Sequence, residues 1–244
     1  MTGTLYGVGV GPGDPDLVTR GAARIIKSCP VVAYAQADDA PSMARSIVAD
    51  LLGRQHEEPI VVPMRRERHP AASVYDEAAG RLGSHLDGGR DVAVLCEGDP
   101  FHYGSFMYLH ERMAPRWPVR IVPGVTSVCA AAAACGRPLA ARDDVLATVP
   151  ATLPDSAIEQ QIELSQSVAI IKLGRHLPRV RALLERHGLV GRTAYCERVG
   201  LRAQRLATLD EVGDEAPYFS LLIVYRGEEP AIARLPAVRE GVPA

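Results

Sequence analysis

Residues 4–15 read TLYGVGVGPGDP, an apolar run that leads into a glycine-rich loop. We interpret residues 4–10 as a first strand, after which Asp14 caps a helix that has Pro15 at its first position. Such a loop suits a nucleotide, because backbone amides and a helix N-terminus can face the ligand. The dinucleotide fingerprint needs glycines at i, i+2 and i+5, however, and every register of this loop lacks the third glycine. A Walker A loop is excluded as well, because the chain contains no Gly-Lys pair.

Short apolar runs and helical patterns alternate along the rest of the chain, which predicts α/β sheets covered by helices. The pattern changes near residues 140–155, and we place a domain junction there. This gives an N-terminal α/β domain over residues 1–142 and a C-terminal α/β domain over residues 143–244. Two further loops follow predicted strands, where open α/β sheets bind their ligands. They are residues 97–105, EGDPFHYGS, and residues 123–127, PGVTS.

Composition and charge exclude several classes of protein. The chain has 244 residues and a net charge of −2, so no global basic field exists to bind nucleic acid. No apolar run approaches the length of about 18 residues that a membrane helix needs. The five cysteines are scattered without a C-x-x-C pair, which is typical of a reduced compartment. No basic residue precedes Arg20, so a secretory signal is not expected, and we expect a cytoplasmic protein.

The histidines show no spacing that is typical of metal ligands, and no H-E-x-x-H motif occurs. The histidines considered are His56, His69, His85, His110 and His187. We therefore predict no bound metal. A Ser/His/Asp hydrolase is not indicated either, since a G-x-S-x-G nucleophile turn is missing.

Three sequence blocks in their observed order carry a resemblance to a known family. The first is residues 8–15 with residues 17–19, the second centres on residues 98–104, and the third is residues 122–124. Together they resemble the tetrapyrrole (corrin/porphyrin) methylases, which use S-adenosyl-L-methionine and are not of the Rossmann type. The resemblance covers essentially the whole chain.

The resemblance implies two α/β domains with mixed sheets, a ligand cleft between them, and a homodimer. It implies S-adenosyl-L-methionine as methyl donor and S-adenosyl-L-homocysteine as product. The implied cofactor contacts of the N-terminal domain are Pro12, Gly98, Asp99, His102, Thr126 and Ser127. From the C-terminal domain, which completes the donor site, it implies Leu173 at the adenine, together with Glu197 and Ser220.

Segments such as residues 97–107 and 172–178 resemble the members that methylate precorrin-2 at C20 to give precorrin-3A. The family likeness places the glycine loop near this tetrapyrrole, with contacts from Gly11, Gly13 and Asp14. Precorrin-2 carries eight carboxylates, and we expect Arg20 and Arg66 to bind some of them, because a planar guanidinium matches a carboxylate.

Positioning of the two reactants can supply most of the rate of such a methyl transfer. Asp99 or Tyr103 could serve as a base for the loss of the C20 proton, or both could only bind. The sequence leaves other substrates and other classes of protein open. The substrate could be cobalt-loaded precorrin-2, another corrin carbon, uroporphyrinogen III or a diphthamide intermediate. More distant alternatives are a nicotinamide-dependent oxidoreductase and a non-catalytic binding module.

Overall fold

The computed structural model describes residues 1–38, 40–62 and 69–238, except for the side chains of residues 69–72. Within these ranges the backbone forms two five-stranded sheets and eight α-helices. The chain separates into two compact units, Met1–Thr126 and Ser127–Ala244. The predicted α/β architecture is confirmed.

The division between the units falls 16 residues before the junction that we placed after residue 142. The difference concerns helix Ser127–Ala134, which packs against the last strand of the second sheet. A composition change marks the loop that follows this helix, whereas packing decides to which unit the helix belongs. The sequence pattern shows where the composition changes, but it does not show against which sheet the helix packs.

The sheet of the first unit has the strand order β3-β2-β4-β1-β5. Its strands are Leu5–Gly9 (β1), Val31–Ala37 (β2), His56–Val62 (β3), Val92–Cys96 (β4) and Val119–Val122 (β5). Every pairing between these five strands is parallel. The carboxyl ends of the strands therefore all lie at one edge of the sheet, and the loops that leave β1, β4 and β5 start side by side.

Helices cover both faces of this parallel sheet. They are Arg20–Ser28 (α1), Met43–Ile47 (α2), His69–Asp87 (α3) and Phe106–Met113 (α4). Along β4, Val92 and Val94 belong to one buried cluster, whereas Ala93 and Leu95 belong to the other. Burial on both faces explains why β4 reads as a continuous apolar run and not as an alternating one.

The first helix begins later than the sequence predicted. Asp14 does cap a turn that has Pro15 at its first position, but this turn is a short 3₁₀ helix, Pro15–Leu17. Val18 then has an extended backbone, and the side chain of Thr19 accepts a hydrogen bond from Ala22 N at 3.1 Å to start α1 at Arg20. The cap at Asp14 thus starts only the 3₁₀ turn, and Thr19, five positions later, is the cap of α1.

The second unit contains a mixed sheet with the order β6-β7-β10-β8-β9. Its strands are Leu146–Pro150 (β6), Ser167–Ile171 (β7), Thr193–Glu197 (β8), Arg205–Thr208 (β9) and Ser220–Tyr225 (β10). Only the β6–β7 pair is parallel. The resemblance implied mixed sheets in both domains. The sheet of the second unit is mixed, whereas every strand pairing in the sheet of the first unit is parallel.

Four helices accompany the second sheet. They are Ser127–Ala134 (α5), Asp155–Leu164 (α6), Leu177–Arg186 (α7) and Pro230–Ala233 (α8). Ile158 and Ile162 of α6 pack with Val180 and Leu184 of α7 in the buried cluster of this unit. The spacing of four residues within each pair is that of one helix face.

Candidate functional site

Three loops of the first unit meet at the carboxyl ends of β1, β4 and β5. A Cβ atom placed on Gly9 would lie 2.6 Å from the carbonyl oxygen of Gly98, and one on Gly124 would overlap the same oxygen. Gly98 itself has a φ of +65°, in the left-handed region that favours glycine. We call Gly9, Gly98 and Gly124 the glycine junction. Backbone packs directly on backbone there, so the loops are held in one arrangement.

Hydrogen bonds fix the first two of these loops to each other. Gly98 N donates to the Gly11 carbonyl at 2.7 Å, and Gly11 N donates to the Gly98 carbonyl at 3.3 Å. Gly11 also has a positive φ, +77°. The glycine loop, which follows β1, thus serves chiefly to hold the loop after β4 against it. This agrees with the failure of the glycine loop to match a dinucleotide fingerprint.

Asp99 joins the second and third loops. Its Oδ2 accepts a hydrogen bond from Gly124 N at 3.0 Å, and its Oδ1 accepts one from Phe101 N at 2.9 Å. Both carboxylate oxygens therefore hold backbone of this unit. Each still has lone-pair capacity for a ligand, because a carboxylate offers about four acceptor positions.

Tyr103 sits in the same loop in a strained conformation, with a φ of +57°. Its side chain is 43% exposed, and its ring contacts the His102 ring edge to face at a centroid distance of 5.1 Å. A positive φ costs a non-glycine residue energy, and such strain is concentrated at functional sites. The structure thus brings Asp99, His102 and Tyr103 together in one loop.

The other residues predicted in the first unit lie around the glycine loop. Gly13 is buried, Pro12 and Asp14 are half-buried, and Arg20 is exposed at the first position of α1. Asp14 Oδ1 accepts a hydrogen bond from Asp16 N at 2.9 Å. Arg66 lies outside the described residues.

Thr126 and Ser127 lie on either side of the division between the units, and both are half-buried. Ser127 is the first residue of α5. Thr126 ends the Pro-Gly loop in the first unit, and Ser127 belongs to the second unit.

The structure brings the three predicted residues of the second unit to one edge of its sheet. Glu197 ends β8 and lies opposite Ser220, the first residue of β10. Leu173 follows β7, and a Cβ atom on its neighbour Gly174 would lie 3.8 Å from Tyr218 Cα, just before β10. We call Leu173, Glu197 and Ser220 the second-unit edge.

Contacts within the unit already occupy these three residues. Leu173 is fully buried in the core cluster, so its backbone is the part that can reach a ligand. Glu197 accepts hydrogen bonds from Tyr195 Oη at 2.7 Å and from the guanidinium of Arg198. The Ser220 hydroxyl donates to the Pro217 carbonyl at 2.6 Å.

Backbone strain coincides with these loops. Apart from Tyr103, the non-glycine residues with positive φ among the described ranges are Arg142, Lys172 and Arg198. Lys172 directly follows β7, and Arg198 directly follows β8. Tyr103 and Lys172 thus lie in segments that the sequence singled out, residues 97–107 and 172–178, and Arg198 directly follows Glu197.

Glu97 is a residue of this region that the sequence analysis did not select. Its carboxyl group lines a small recess at the carboxyl ends of β2 and β4, beside Tyr75 and Ser105. Its Oε1 accepts a hydrogen bond from Ala44 N at 3.2 Å. Although Glu97 is exposed, the protein atoms that surround its carboxylate partly desolvate it, and this raises its pKa above the usual value. Only its position directly before Gly98 could have signalled it.

The chain belongs to the tetrapyrrole (corrin/porphyrin) methylases, whose family model matches residues 4–213. Its relatives include the cobalamin biosynthesis protein CobIJ of Mycobacterium bovis, which is 43% identical over 94% of this chain and 47% of that protein. The precorrin-2 C(20)-methyltransferase of a Sinorhizobium species is 36% identical over 91% of this chain and 95% of its own length. The cobalt-precorrin-2 C(20)-methyltransferase of Salmonella typhimurium is 35% identical over 92% of this chain and 97% of its length.

The chain thus spans about half the length of the mycobacterial relatives that it matches. Among solved structures it is similar to uroporphyrin-III C-methyl transferase from Thermus thermophilus, crystallised with S-adenosyl homocysteine. The TM-score is 0.68 at 26% identity, and the match covers 91% of this chain and 97% of that one. None of the helices in the described ranges combines the length and apolar character of a membrane span.

Proposed function

We propose that this protein transfers a methyl group from S-adenosyl-L-methionine to C20 of precorrin-2, giving precorrin-3A and S-adenosyl-L-homocysteine in cobalamin biosynthesis. The observation that carries the proposal is the glycine junction, where the three loops that bear the family motifs are locked together. The Sinorhizobium and Salmonella relatives support C20 as the position that is methylated. The Salmonella name also supports the cobalt-loaded macrocycle as a second form of the substrate.

The residues around the glycine junction fit a cationic methyl donor. The donor carries a positive sulfonium and an ammonium group, and two acidic residues, Glu97 and Asp99, stand two positions apart in the loop after β4. Opposite charge in a partly desolvated loop strengthens such an attraction. We propose that Pro12, Gly98, His102 and Thr126 of the first unit also contact the donor, together with Ser127, the first residue of the second unit.

We propose that the second unit contributes to the same donor through the second-unit edge. Leu173 contributes backbone, because its side chain is buried in the core. Glu197 and Ser220 contribute through lone pairs that their present hydrogen bonds leave open.

When bound, the donor supplies an activated methyl group on a good leaving group. The task left to the protein is to hold the macrocycle carbon in line with that methyl group and to exclude water. Asp99 acts as a positioning residue, since its two oxygens hold the β4 and β5 loops in register. Tyr103, which is exposed and strained, is the candidate to accept or relay the proton that leaves C20.

On the substrate side, we propose that Gly11 and Gly13 let the macrocycle approach the backbone of the glycine loop, beside Asp14. Arg20 projects from the first turn of α1 directly after this loop and pairs with a substrate carboxylate. Arg66 is proposed for the same task from its sequence alone.

The protein is further proposed to be a cytoplasmic homodimer. All five cysteines are free thiols, as is usual in a reducing compartment. Three exposed apolar side chains near α4, those of Phe101, Met107 and Tyr108, support self-association.

Isothermal titration calorimetry tests the choice between the classes. We expect S-adenosyl-L-homocysteine to bind with micromolar affinity and NAD(P) not to bind. The opposite result would favour a nicotinamide-dependent oxidoreductase and contradict the proposal. Binding of neither compound would favour a non-catalytic role.

A further inference from the structure

Two histidines and a glutamate come together in the first unit, although the sequence spacing gave no sign of it. His56 and Glu58 are two residues apart on β3 and so project from the same face of this strand. His85 reaches them from the last turns of α3. Glu58 Oε1 lies 2.9 Å from His56 Nε2 and 3.0 Å from His85 Nε2. The two imidazole centroids are 5.1 Å apart.

These distances suit a metal ion. The three ligand atoms all lie within 4.8 Å of one another. Tetrahedral zinc, with bonds of about 2.0–2.2 Å, requires neighbouring ligand atoms to be roughly 3.3 Å apart. The two distances from Glu58 Oε1 to the histidine nitrogens, 2.9 and 3.0 Å, are within a few tenths of an ångström of this value. Two histidines and one carboxylate with an open fourth position form a known zinc donor set.

The surroundings of Glu58 prepare it as a ligand. Arg81 Nε lies 3.3 Å from Glu58 Oε2, so the second oxygen is held while Oε1 is left to the histidines. A metal-ligating carboxylate is commonly oriented by a second partner in this way.

Two features set the strength of the site. The His85 side chain is only 9% exposed, and its Nδ1 has no hydrogen-bond partner among the described residues. Arg81 also places a positive charge next to the ion. Both oppose metal binding, so we expect micromolar affinity and not the tighter binding of closed structural sites.

The cluster lies away from the glycine junction. His56 is the first residue of β3 and pairs with Val31, the first residue of β2. The junction, in contrast, follows the carboxyl ends of the strands, at the opposite edge of the same parallel sheet. An ion at the cluster would therefore connect an edge strand to a helix and take no part in methyl transfer.

We propose that His56, Glu58 and His85 form a binding site for a divalent transition-metal ion of the zinc class, which fastens edge strand β3 to helix α3. The proposal does not depend on the proposed methyl transfer.

The test is calorimetric titration of the full chain, without a polyhistidine tag, with zinc chloride. We expect one ion per chain and a rise in the melting temperature on zinc addition, since a ligand that binds only the folded state stabilises it. His56→Ala and Glu58→Gln should each weaken zinc binding at least about tenfold and remove most of the rise. The His56 side chain is 55% exposed, so its removal leaves the fold intact.

His187→Ala is the matched control. His187 Nε2 lies 3.7 Å from Glu159 Oε1, so it is a histidine beside a carboxylate, but the described residues place no second histidine there. This variant should bind zinc as the unchanged protein does. The proposal is overturned if the unchanged protein binds no zinc, or if His56→Ala and Glu58→Gln both bind it with unchanged affinity.

Discussion

Asp99 combines a structural and a ligand-binding task in one side chain. Because its carboxylate accepts hydrogen bonds from Gly124 N and Phe101 N, removing it frees both the β4 loop and the β5 loop. We predict that Asp99→Ala weakens binding of S-adenosyl-L-homocysteine by about tenfold or more, which corresponds to the loss of one or two hydrogen bonds. Calorimetry measures this directly.

Glu211→Ala is a suitable control for Asp99→Ala. Glu211 also accepts a backbone hydrogen bond, from Thr208 N at 2.9 Å, but it does so in a 3₁₀ turn of the second unit, apart from the predicted loops. We expect unchanged affinity. Equal affinity of Asp99→Ala and the unchanged protein would show that the donor site lies elsewhere.

Glu97 makes the stability of the protein depend on pH. Desolvation raises its pKa in the folded state, so folding favours the protonated carboxyl group. The stability that this group contributes is complete below its unfolded pKa of about 4.3 and is lost as the pH rises through the folded value. We predict that Glu97→Gln, which keeps an acceptor for Ala44 N, melts at a higher temperature than the unchanged protein at pH 8.

The difference in melting temperature should shrink as the pH falls toward 4, because Glu97 then becomes neutral in both states. Scanning calorimetry of both proteins across this range is the measurement. A constant difference at every pH would mean that the ionisation of Glu97 is not perturbed by folding.

At the scale of elements, the glycine junction fixes how β1, β4 and β5 loops pack. A methyl group on Gly124 has no space, because the Gly98 carbonyl occupies its position. We predict that Gly124→Ala lowers the free energy of unfolding by about 1–3 kcal/mol, as overpacking typically does. It should also reduce donor affinity, since all three loops must shift.

Gly80→Ala tests whether loss of a glycine is harmful in itself. Gly80 lies inside α3, where a Cβ atom would meet nothing within 4 Å. Alanine favours the helix by about 1 kcal/mol, so this variant should be more stable than the unchanged protein. Urea unfolding compares the two; a Gly124→Ala variant as stable as Gly80→Ala would contradict the close packing.

Strands that are buried on both faces could be predicted from sequence, whereas the polar first half of the edge strand β3 could not. The sequence predicts strands at residues 91–96 and 193–197, and the structure has β4 at Val92–Cys96 and β8 at Thr193–Glu197. For β3 the sequence predicts only residues 60–62, because its first four residues, HEEP, comprise three polar residues and a proline. An edge strand can carry charged side chains on its exposed side, and pattern reading then shortens it.

The site shows the same distinction between local and tertiary information. Asp99 and Gly124 could be selected because they belong to contiguous motifs. The desolvation of Glu97 and the meeting of His56 with His85 depend on how distant elements pack, and no spacing along the chain encodes that.

At the scale of the whole molecule, the proposed homodimer has a direct test. Light scattering should give twice the 26.2 kDa mass of the chain. Met107 is 53% exposed on α4 beside exposed Tyr108, and exposed Phe101 lies against Phe106 of the same helix. We predict that Met107→Asp increases the monomer fraction, because a charge would have to be buried in the dimer.

Leu164→Asp is the control for this surface. Leu164 is 64% exposed at the end of α6, and its substitution should leave the mass unchanged. A dimer that persists in Met107→Asp and dissociates in Leu164→Asp would place the contact on the second unit. A monomer for the unchanged protein would contradict the dimer altogether.

The most direct test of the proposed activity is the position of the transferred methyl group. The protein is incubated with precorrin-2, with and without cobalt, and with S-adenosyl-L-methionine that carries a ¹³C-labelled methyl group, and the product is examined by NMR. We predict a single labelled methyl group at C20, formed together with S-adenosyl-L-homocysteine. The cobalt-free and cobalt-loaded reactions show which form is used. A label at any other carbon, or no label with either form, would contradict the proposed function.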